Sequence, residues 1–478
     1  MSIATADPRS SSRRVEHASV AERSARGKAA RAQVPRSGHG EWEPAADRPD
    51  PITLLEEQAT SRVPELVPIR YGRMAVSPFT FYRGAAYVMA SDLAATPRSG
   101  FRAQLCGDAH LSNFGAYAAP DRQLVFDLND FDETLPGPWE WDVKRLAASL
   151  EIAGRDRGFA RKVRRGVVTA AVGEYRMAMR GFAEMRNLDV WYARLNVDTL
   201  LDRVRPIADR AARKRLDRAA AKARRKDRLR ALAKLTRMVD NEPRLVSDPP
   251  LVVPIEELLP DDDARELHTT IGGLVRDYRT TLPGELRELV EQYRYVDLAR
   301  KVVGVGSVGT RAWIVLMLGR DNDDPLFLQV KEAQASVLEP FAGGSQYRNH
   351  GRRVVEGQRL MQAASDIMLG WIHVKAGIDG QPRDFYVRQL WDSKWSADVD
   401  VMDPVGVEAY GRACGWTLAR AHARSGDEIE IAAYLGSGDS FDRAIARFSE
   451  AYADQNERDH AALLAAIESG DLTAETAL

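Results

Sequence analysis

Cys106-Gly-Asp-Ala-His-Leu-Ser-Asn113 and, shortly after it, Leu124-Val-Phe-Asp-Leu-Asn-Asp-Phe-Asp-Glu133 are the most informative stretches of this chain. The first places an Asp, a His and an Asn within six positions, and the second adds four carboxylates at the end of an apolar run. Carboxylate and amide oxygens are hard ligands that suit Mg²⁺ or Mn²⁺ better than a soft metal. Such a density of oxygen donors is costly to bury away from water or an ion. The pattern therefore predicts either a solvated acidic surface or a metal site.

Length and composition predict a soluble protein with more than one domain. The chain has 478 residues, 44% hydrophobic and 29% charged, which exceeds what one ordinary core holds. Its net charge of −1 provides no overall field for nucleic acid or an anionic membrane, so neither partner is expected. The only cysteines, Cys106 and Cys414, fit a reducing compartment, and no apolar run reaches the length of a membrane span. We therefore expect a cytoplasmic protein, and the oligomeric state stays open.

Changes in composition divide the chain into four regions. Residues 1–48 are rich in Ala, Arg, Ser and Pro and poor in large apolar residues, which predicts a disordered tail. Residues 49–298 have mainly helical spacing, and residues 299–392 have the β-branched runs and turns of a sheet. Residues 393–478 return to helical spacing and are expected to pack back on the first helical region. The order predicts an α+β fold.

A dense run of Arg and Lys occupies residues 203–237. One interpretation is a patch that binds nucleic acid or phospholipid. The other is a solvated helix whose few Leu and Ala side chains form a narrow seam. The absence of interleaved aromatic residues and the neutral chain favour the solvated helix.

Gly304-Val-Gly-Ser-Val-Gly309 matches the pattern G-x-G-x-x-G, which has two common meanings. In a dinucleotide-binding unit a helix follows the glycines, but residues 310–318 are β-branched and apolar, which favours a hairpin. In such a hairpin the backbone at Gly304, Gly306, Ser307 and Gly309 can approach phosphate closely. The alternative is a glycine-rich hairpin that binds no ligand.

Lys331 lies on the next predicted strand and shares one face of it with Phe327 and Gln329. A lysine on a strand beneath a glycine loop can reach the α- and β-phosphates of a nucleotide. A single strand lysine otherwise faces solvent. The expected partner of Lys331 is a glutamate on the following helix, with Glu356 as first candidate and Glu339 as second.

Three segments together resemble the aminoglycoside-phosphotransferase and choline-kinase branch of the protein-kinase-like superfamily. Gly107-Asp-Ala-His-Leu-Ser-Asn113 resembles its catalytic loop, and Val125-Phe-Asp127 resembles the metal-binding strand end that follows. Gly137-Pro-Trp-Glu-Trp-Asp-Val-Lys-Arg-Leu-Ala147 is similar to the D-P-x-x-D-L-A segment beyond it. The resemblance implies a two-lobed kinase-like fold that binds ATP and Mg²⁺ or Mn²⁺.

The resemblance also implies roles for individual residues. Asp108 would orient or deprotonate the acceptor hydroxyl, and His110 would belong to the same catalytic loop. Asn113 would bind a metal ion, and Asp127 would bridge that ion to phosphate. Asp142 would brace the catalytic loop. Phosphoryl transfer needs positioning and charge neutralisation more than covalent chemistry, which agrees with such a set.

Three features depart from that pattern. Cys106 stands where the related enzymes have His, and Asp127 competes with Asp130 for the metal. The glycine loop and Lys331 also follow the catalytic loop, whereas they precede it in kinases. The expected fold is therefore circularly permuted, with a helical large lobe (49–298), then a β-rich small lobe (299–392), then helices that return to the large lobe. Permutation is tolerated where chain termini lie close together at the surface.

Residues 55–453 are identified as a member of the bacterial family called domain of unknown function 2252. The residues that carry this resemblance are Tyr82-Arg-Gly84, Gly107-Asp-Ala-His-Leu-Ser-Asn-Phe-Gly115, Phe126-Asp-Leu-Asn-Asp-Phe-Asp-Glu133 and Gly304-Val-Gly-Ser-Val-Gly-Thr-Arg311. The family implies no established activity, so any function must be argued from the motifs.

The motifs favour an ATP- and Mg²⁺-dependent phosphotransferase that acts on the hydroxyl of an unknown small molecule. A nucleotide-binding pseudokinase and a protein AMP-transferase keep the same fold and remain open because of Cys106 and the crowded acids. A two-metal phosphoesterase that begins at Asp108-Ala-His110 is a remote alternative, since that chemistry needs more His ligands than the chain offers in clusters.

Overall fold

A computed structural model describes residues 17–205, 228–302, 304–390 and 395–475, together with 213–214, 217–218 and 221. Helices alternate with antiparallel sheets along the described chain, which confirms the α+β class. None of the described helices is long and apolar enough to cross a membrane.

The elements are numbered in chain order. The helices are α1 Val20–Gln33, α2 Pro51–Ala59, α3 Val67–Ala75, α4 Pro78–Gly84, α5 Ala86–Ala94, α6 Trp139–Asp156, α7 Arg161–Ala183, α8 Asn187–Tyr192, α9 Val197–Val204, α10 Arg228–Leu235, α11 Ile255–Leu258, α12 Asp261–Thr280, α13 Gly284–Glu291, α14 Glu339–Ala342, α15 His350–Met361, α16 Pro404–Ser425, α17 Glu428–Leu435 and α18 Ser440–Glu468. The strands are β1 Arg102–Leu105, β2 Phe114–Ala118, β3 Leu124–Leu128, β4 Leu135–Pro138, β5 Leu195–Asn196, β6 Thr236–Val239, β7 Glu242–Leu245, β8 Val252–Pro254, β9 Arg294–Lys301, β10 Ala312–Leu318, β11 Pro325–Ala333, β12 Gly370–Val374, β13 Arg383–Gln389 and β14 Trp395–Ser396.

Helices from both halves of the sequence share the largest core. The C-terminal helices α16 and α18 pack against α6 and α7. At Gly415 of α16, an added Cβ would lie 2.2 Å from the backbone oxygen of Ala171, so glycine permits the close approach of α7. Trp139 of α6 stacks on Tyr175 of α7 with ring centroids 5.6 Å apart. Because α6 follows the acidic motif directly, this core holds the motif in place.

The N-terminal segment corrects the prediction of a disordered tail over residues 1–48. Within it, α1 begins at a capping box in which Ser19 and Glu22 bond each other's backbone N–H groups. Arg23 forms ion pairs with Asp427 and Glu428 at the start of α17. A polar helix can dock through ion pairs and close contacts, which a count of large apolar residues does not detect. Residues 1–16 lie outside the described part of the chain.

His39, in the short helix Arg36–Gly40, gives a pH prediction. It is buried against Phe441, and its Nε2 lies 2.7 Å from the Tyr434 hydroxyl. Burial and, to a smaller extent, the charge of the nearby Lys144 lower the pKa of His39 to about 3. The pKa of His39 is lower in the folded protein than in the unfolded chain, where it is about 6.5. The contribution of His39 to folding stability is therefore complete above a pH of about 6.5 and is lost as the pH falls from there towards 3.

At pH 5 the unfolded chain protonates His39 while the folded chain does not, which costs about 2 kcal/mol of stability. The test measures the free energy of unfolding in urea at pH 8 and at pH 5. Between these pH values the wild type should lose about 2 kcal/mol more of it than His39→Gln does. Parallel losses in the two proteins would contradict the assignment.

The sheet that carries the glycine loop has six strands in the order β12-β13-β11-β10-β9-β8. The strands β9 and β10 pair antiparallel on either side of the glycine loop, and β11 pairs with β10, which confirms the predicted hairpin and third strand. The sheet also takes β8 and most of β9 from before residue 299. The predicted boundary at 298/299 is therefore too late, because a three-residue edge strand has too little alternation to be recognised in sequence.

The last part of the basic segment 203–237 forms α10 and the start of β6. There, α10 buries Ala231 and Leu235 against Ile314 and Leu316 of the six-stranded sheet. This agrees with a solvated helix that has a narrow apolar seam. Most of the remaining basic segment lies outside the described residues.

Candidate functional site

Segments that are far apart in sequence line one cavity of about 180 Å³. Its walls come from the 106–113 loop, the acidic segment 130–133, the glycine loop 304–310, residues 332–337 after β11, and side chains between residues 58 and 86. Seven predicted site residues line it: Asp108, His110, Asn113, Asp130, Gly304, Gly306 and Ser307. The structure thus brings most of the predicted site together.

Asp142 braces the 106–113 loop, as predicted. Its carboxylate accepts the backbone N–H groups of Cys106 and Gly107 at 2.8 and 3.1 Å. His422 stands behind it, with Nε2 3.3 Å from Asp142 and Nδ1 2.8 Å from the Tyr175 hydroxyl. All three supporting side chains come from the helical core, so core packing sets the position of the loop.

Asp108 is held by a buried arginine that the sequence analysis did not assign to the site. Arg145 donates from Nε to one carboxylate oxygen of Asp108 at 2.8 Å, and its Nη2 lies 2.7 Å from the same oxygen. The guanidinium of Arg145 also lies 3.9 Å from the ring centroid of Tyr82 and donates to its carbonyl. The second oxygen of Asp108 lies 3.5 Å from Nε2 of His110, and the side chain is 19% exposed to the cavity. One oxygen is therefore fixed and the other is accessible.

His110 orients the loop and is not a base. Burial lowers the pKa of His110 to about 4, so the imidazole is neutral near pH 7. Its Nδ1 accepts the backbone N–H of Ser112 at 3.2 Å, which places the ring proton on Nε2, towards Asp108. Neither nitrogen keeps a lone pair for a substrate proton, which corrects the predicted catalytic role of His110 to a positioning role.

Asn113 presents an oxygen to the cavity. Its amide nitrogen donates to the backbone oxygen of Asp108 at 2.7 Å, so the amide oxygen faces away from that carbonyl. The residue lies at the end of the 3₁₀ turn Leu111–Asn113 and lines the cavity. This orientation suits a ligand of a hard metal ion.

Asp127 and Asp130, the two acids that the sequence offers as metal ligands, differ in burial. Asp127 is 1% exposed, forms an ion pair with Arg420, and accepts the backbone N–H groups of Leu128 and Ala363 at 2.9 Å. It lies outside the cavity lining, and both of its oxygens have partners, so its assignment as a metal ligand is corrected. Asp130, two residues beyond the end of β3, lines the cavity with 30% of its side chain exposed.

Lys331 pairs with the acidic segment instead of with Glu356. Its ammonium contacts Asp132 and lies 3.8 Å from Asp130. Burial disfavours the charge, but these two carboxylates outweigh it and raise the pKa of Lys331. Glu356 lies 3.8 Å from Arg352 on the same helix.

The face that α15 presents to the acidic segment explains the correction. Arg353 and Gly357 occupy that face: Arg353 donates to the backbone oxygens of Asp132 and Thr134 at 2.7 Å, and Gly357 packs on Thr134. Glu356 lies towards the side of the helix that carries Arg352, four residues earlier, where both side chains are partly exposed. Glu339 accepts the backbone N–H of Ser336 at 3.2 Å.

The glycine loop lies directly on the helical region. Gly304 and Gly309 have φ of +67° and +90°, a conformation that L side chains rarely adopt. An added Cβ at Gly306 would lie 3.0 Å from the backbone oxygen of Arg83. Arg73 donates to the Gly304 carbonyl at 2.6 Å. The Ser307 hydroxyl lies 3.4 Å from Asp132, so the loop closes over the acidic segment.

Two further arginines line the cavity and were missed from sequence. Arg62 contacts the Val308 carbonyl of the glycine loop, and Arg83 projects from α4. The available signal was the Tyr82-Arg-Gly84 block, which carries the family resemblance but had no role assigned. Glu133 also lines the cavity, and burial raises its pKa to about 7.

Comparisons with known proteins identify a family but no characterised relative. Residues 62–466 match the family described as "Uncharacterized protein conserved in bacteria (DUF2252)". No significant match was found among curated proteins or among solved structures. Since the match covers most of the chain, including the catalytic-loop-like motif and the glycine loop, the protein belongs to the DUF2252 family.

Proposed function

We propose that the protein is an ATP- and Mg²⁺-dependent phosphotransferase that acts on a hydroxyl of a small molecule. The observation that carries this proposal is that the glycine loop and the Asp108–Asn113 loop, about two hundred residues apart, line one cavity. The acidic segment that pairs with Lys331 completes its wall. A glycine loop, a strand lysine, an aspartate and an oxygen-donor pair are the parts that phosphoryl transfer uses.

The residues present fit magnesium and phosphate. Asn113 and Asp130 offer hard oxygen donors and would hold the ion, which would neutralise phosphate charge when bound. Asp108, with one fixed and one accessible oxygen, would orient the acceptor hydroxyl. Lys331 and the backbone of the glycine loop would face the phosphates.

The cavity volume implies a motion. About 180 Å³ is below the roughly 300–1,000 Å³ of typical ligand pockets. We therefore propose that the glycine loop moves outward from Arg73 and Arg83 to admit the nucleotide. Loops that close over phosphates in this way exclude water from the reaction.

The order of the regions agrees with a permuted kinase-like fold. The helical region with the Asp108 loop comes first, and the sheet with the glycine loop and Lys331 comes later. The helices α16 and α18 then pack on α6 and α7 of the first region. This order of regions is the one that the proposed permutation would produce.

The two-metal phosphoesterase gains no support. Among the described residues, the group of three His, Asp or Glu side chains with ligand atoms within 4.8 Å of one another is Glu256, His268 and Asp297. That group lies in the sheet region and does not include Asp108 or His110. A site with few protein ligands agrees better with an ion carried in by a nucleotide.

Titration of ATP by calorimetry, with Mg²⁺ and then with EDTA, tests the proposal. We expect binding that needs Mg²⁺ and an ATP Kd at least about tenfold higher in Asp130→Asn, since the variant loses a charged ligand. Asp323→Asn, an exposed aspartate in the β10–β11 turn, is the matched control and should match the wild type. Failure of the wild type to bind any nucleotide with Mg²⁺ would refute the proposal.

Labelled ATP then separates the reaction classes. Transfer of label from γ-³²P-ATP to a panel of hydroxyl acceptors is the expected result. Transfer from α-³²P-ATP to protein would instead identify an AMP-transferase. Binding without either transfer, unchanged in Asp108→Ala, would identify a pseudokinase.

A further inference from the structure

Arg83 places a guanidinium in the candidate site without a partner. It lines the cavity beside Asp108, and its Nε is buried with no hydrogen-bond partner. Within the described residues it forms no ion pair and donates no side-chain hydrogen bond. Arginine presents five donors, and a buried donor left without an acceptor costs free energy. The Arg83 guanidinium therefore has hydrogen-bond donors available for a ligand that can accept them.

The neighbouring carboxylates do not satisfy Arg83. Asp108 and the exposed Asp400 lie close enough to raise its pKa, but neither forms an ion pair with it within the described residues, and Asp108 is already engaged by Arg145. Burial is the stronger influence and lowers the pKa of Arg83. A cation that is desolvated without a counter-ion favours an anionic ligand at the same place.

Arg62, the other arginine that lines the cavity, has a protein partner, and so do Lys331 and Arg145, which lie just behind the lining. Lys331 contacts Asp132, Arg145 is bonded to Asp108, and Arg62 donates to the Val308 carbonyl. Arg83 is thus the guanidinium of this cavity that is available for a ligand, within the described part of the chain.

The position of Arg83 lies between the two halves of the site. A Cβ added to Gly306, at the centre of the glycine loop, would lie 3.0 Å from the backbone oxygen of Arg83. Its side chain faces the cavity on the side of Asp108. A phosphate that is covered by the glycine loop and directed towards an acceptor at Asp108 would lie against this guanidinium.

We infer that Arg83 binds the terminal phosphate of the nucleotide and distinguishes a triphosphate from a diphosphate. This inference rests on the proposed function, because it assumes that the nucleotide occupies this cavity. Guanidinium groups bind phosphate oxygens in pairs, and in other phosphotransferases an arginine at the transferred phosphate stabilises its charge. Lys331 would then bind the α- and β-phosphates.

Comparing the affinities for ATP and ADP tests the inference without knowledge of the acceptor. Calorimetry with Mg²⁺ should show an ATP Kd at least about tenfold higher in Arg83→Gln and an ADP Kd within about twofold of the wild type. Arg320→Gln, the same change at an exposed arginine, is the matched control and should alter neither constant. A merely structural role would change both constants by the same factor.

The possible outcomes separate the two claims. A wild type that binds no nucleotide overturns both the proposed function and the role of Arg83. A wild type that binds both nucleotides, with the same ATP-to-ADP ratio in Arg83→Gln, overturns only the role of Arg83. Should Arg83→Gln not fold, Arg83→Lys gives the same comparison: a reduced preference for ATP supports the role, and an unchanged preference overturns it.

Discussion

Asp108→Asn is expected to reduce phosphoryl transfer by about 10²–10⁴-fold, the range typical for loss of a general base. The amide keeps the shape of the carboxylate, so it can still accept a hydrogen bond from Arg145. It loses the charge that would attract the proton of the acceptor hydroxyl. The measurement is the initial rate of γ-³²P transfer at saturating ATP, once an acceptor has been found.

A buried charge pair is disturbed by this change, so stability must be controlled. Arg145 keeps its bonds to the Tyr82 carbonyl and its contact with the Tyr82 ring, and we expect the variant to fold. Asp442→Asn is the matched control, because Asp442 is a buried partner of Arg176 far from the cavity. It should lower stability without lowering transfer. A transfer rate within threefold of the wild type in Asp108→Asn would exclude the proposed role.

Asp127→Ala is expected to lower the free energy of unfolding by about 3–5 kcal/mol. Arg420 is 1% exposed, and the substitution leaves its charge buried without a counter-ion. The backbone N–H groups of Leu128 and Ala363 lose their acceptor as well. Urea unfolding at neutral pH measures the loss, and Asp130→Asn should lower stability by less than Asp127→Ala does, because Asp132 still pairs with the buried Lys331.

The double variant Asp127→Ala with Arg420→Met identifies the cause of the loss. Removing both charges should recover part of the stability that Asp127→Ala loses, because no buried charge remains unpaired. No recovery would mean that the ion pair is not the source. If the Asp127→Ala variant keeps normal stability but no longer binds Mg²⁺-ATP, Asp127 is a metal ligand after all.

Local features of the site could be predicted from sequence because they depend on neighbours along the chain. The β-branched residues after Gly309 predicted a hairpin, and β9 and β10 form one. The spacing of Asp108 and Asn113 placed both on one short loop, and both line the cavity. Asp142, on the first turn of α6, bonds to the loop as the resemblance to the kinase-like enzymes implied.

The predictions from sequence were wrong where the partner of a side chain lies far away along the chain. Alternation along β3 and the residues after it puts Asp127 and Asp130 on different sides, but only the position of Arg420 on α16 shows which side is the core. The rotation of α15 about its axis decides that Glu356 turns away from Lys331. The polar helix α1 docks through partners distant in sequence, among them Asp427 and Glu428 at the start of α17.

The sequence by itself determined the α+β class, the glycine hairpin, the loop that carries Asp108 and Asn113, and membership of the family. Each depends on residue type and short spacing. The tertiary structure decided that these segments meet in one cavity, that Asp132 pairs with Lys331, and that Arg83 lacks a partner there. Those facts depend on the packing of elements up to two hundred residues apart, and burial and charge pairing are properties of that packing and not of the local sequence.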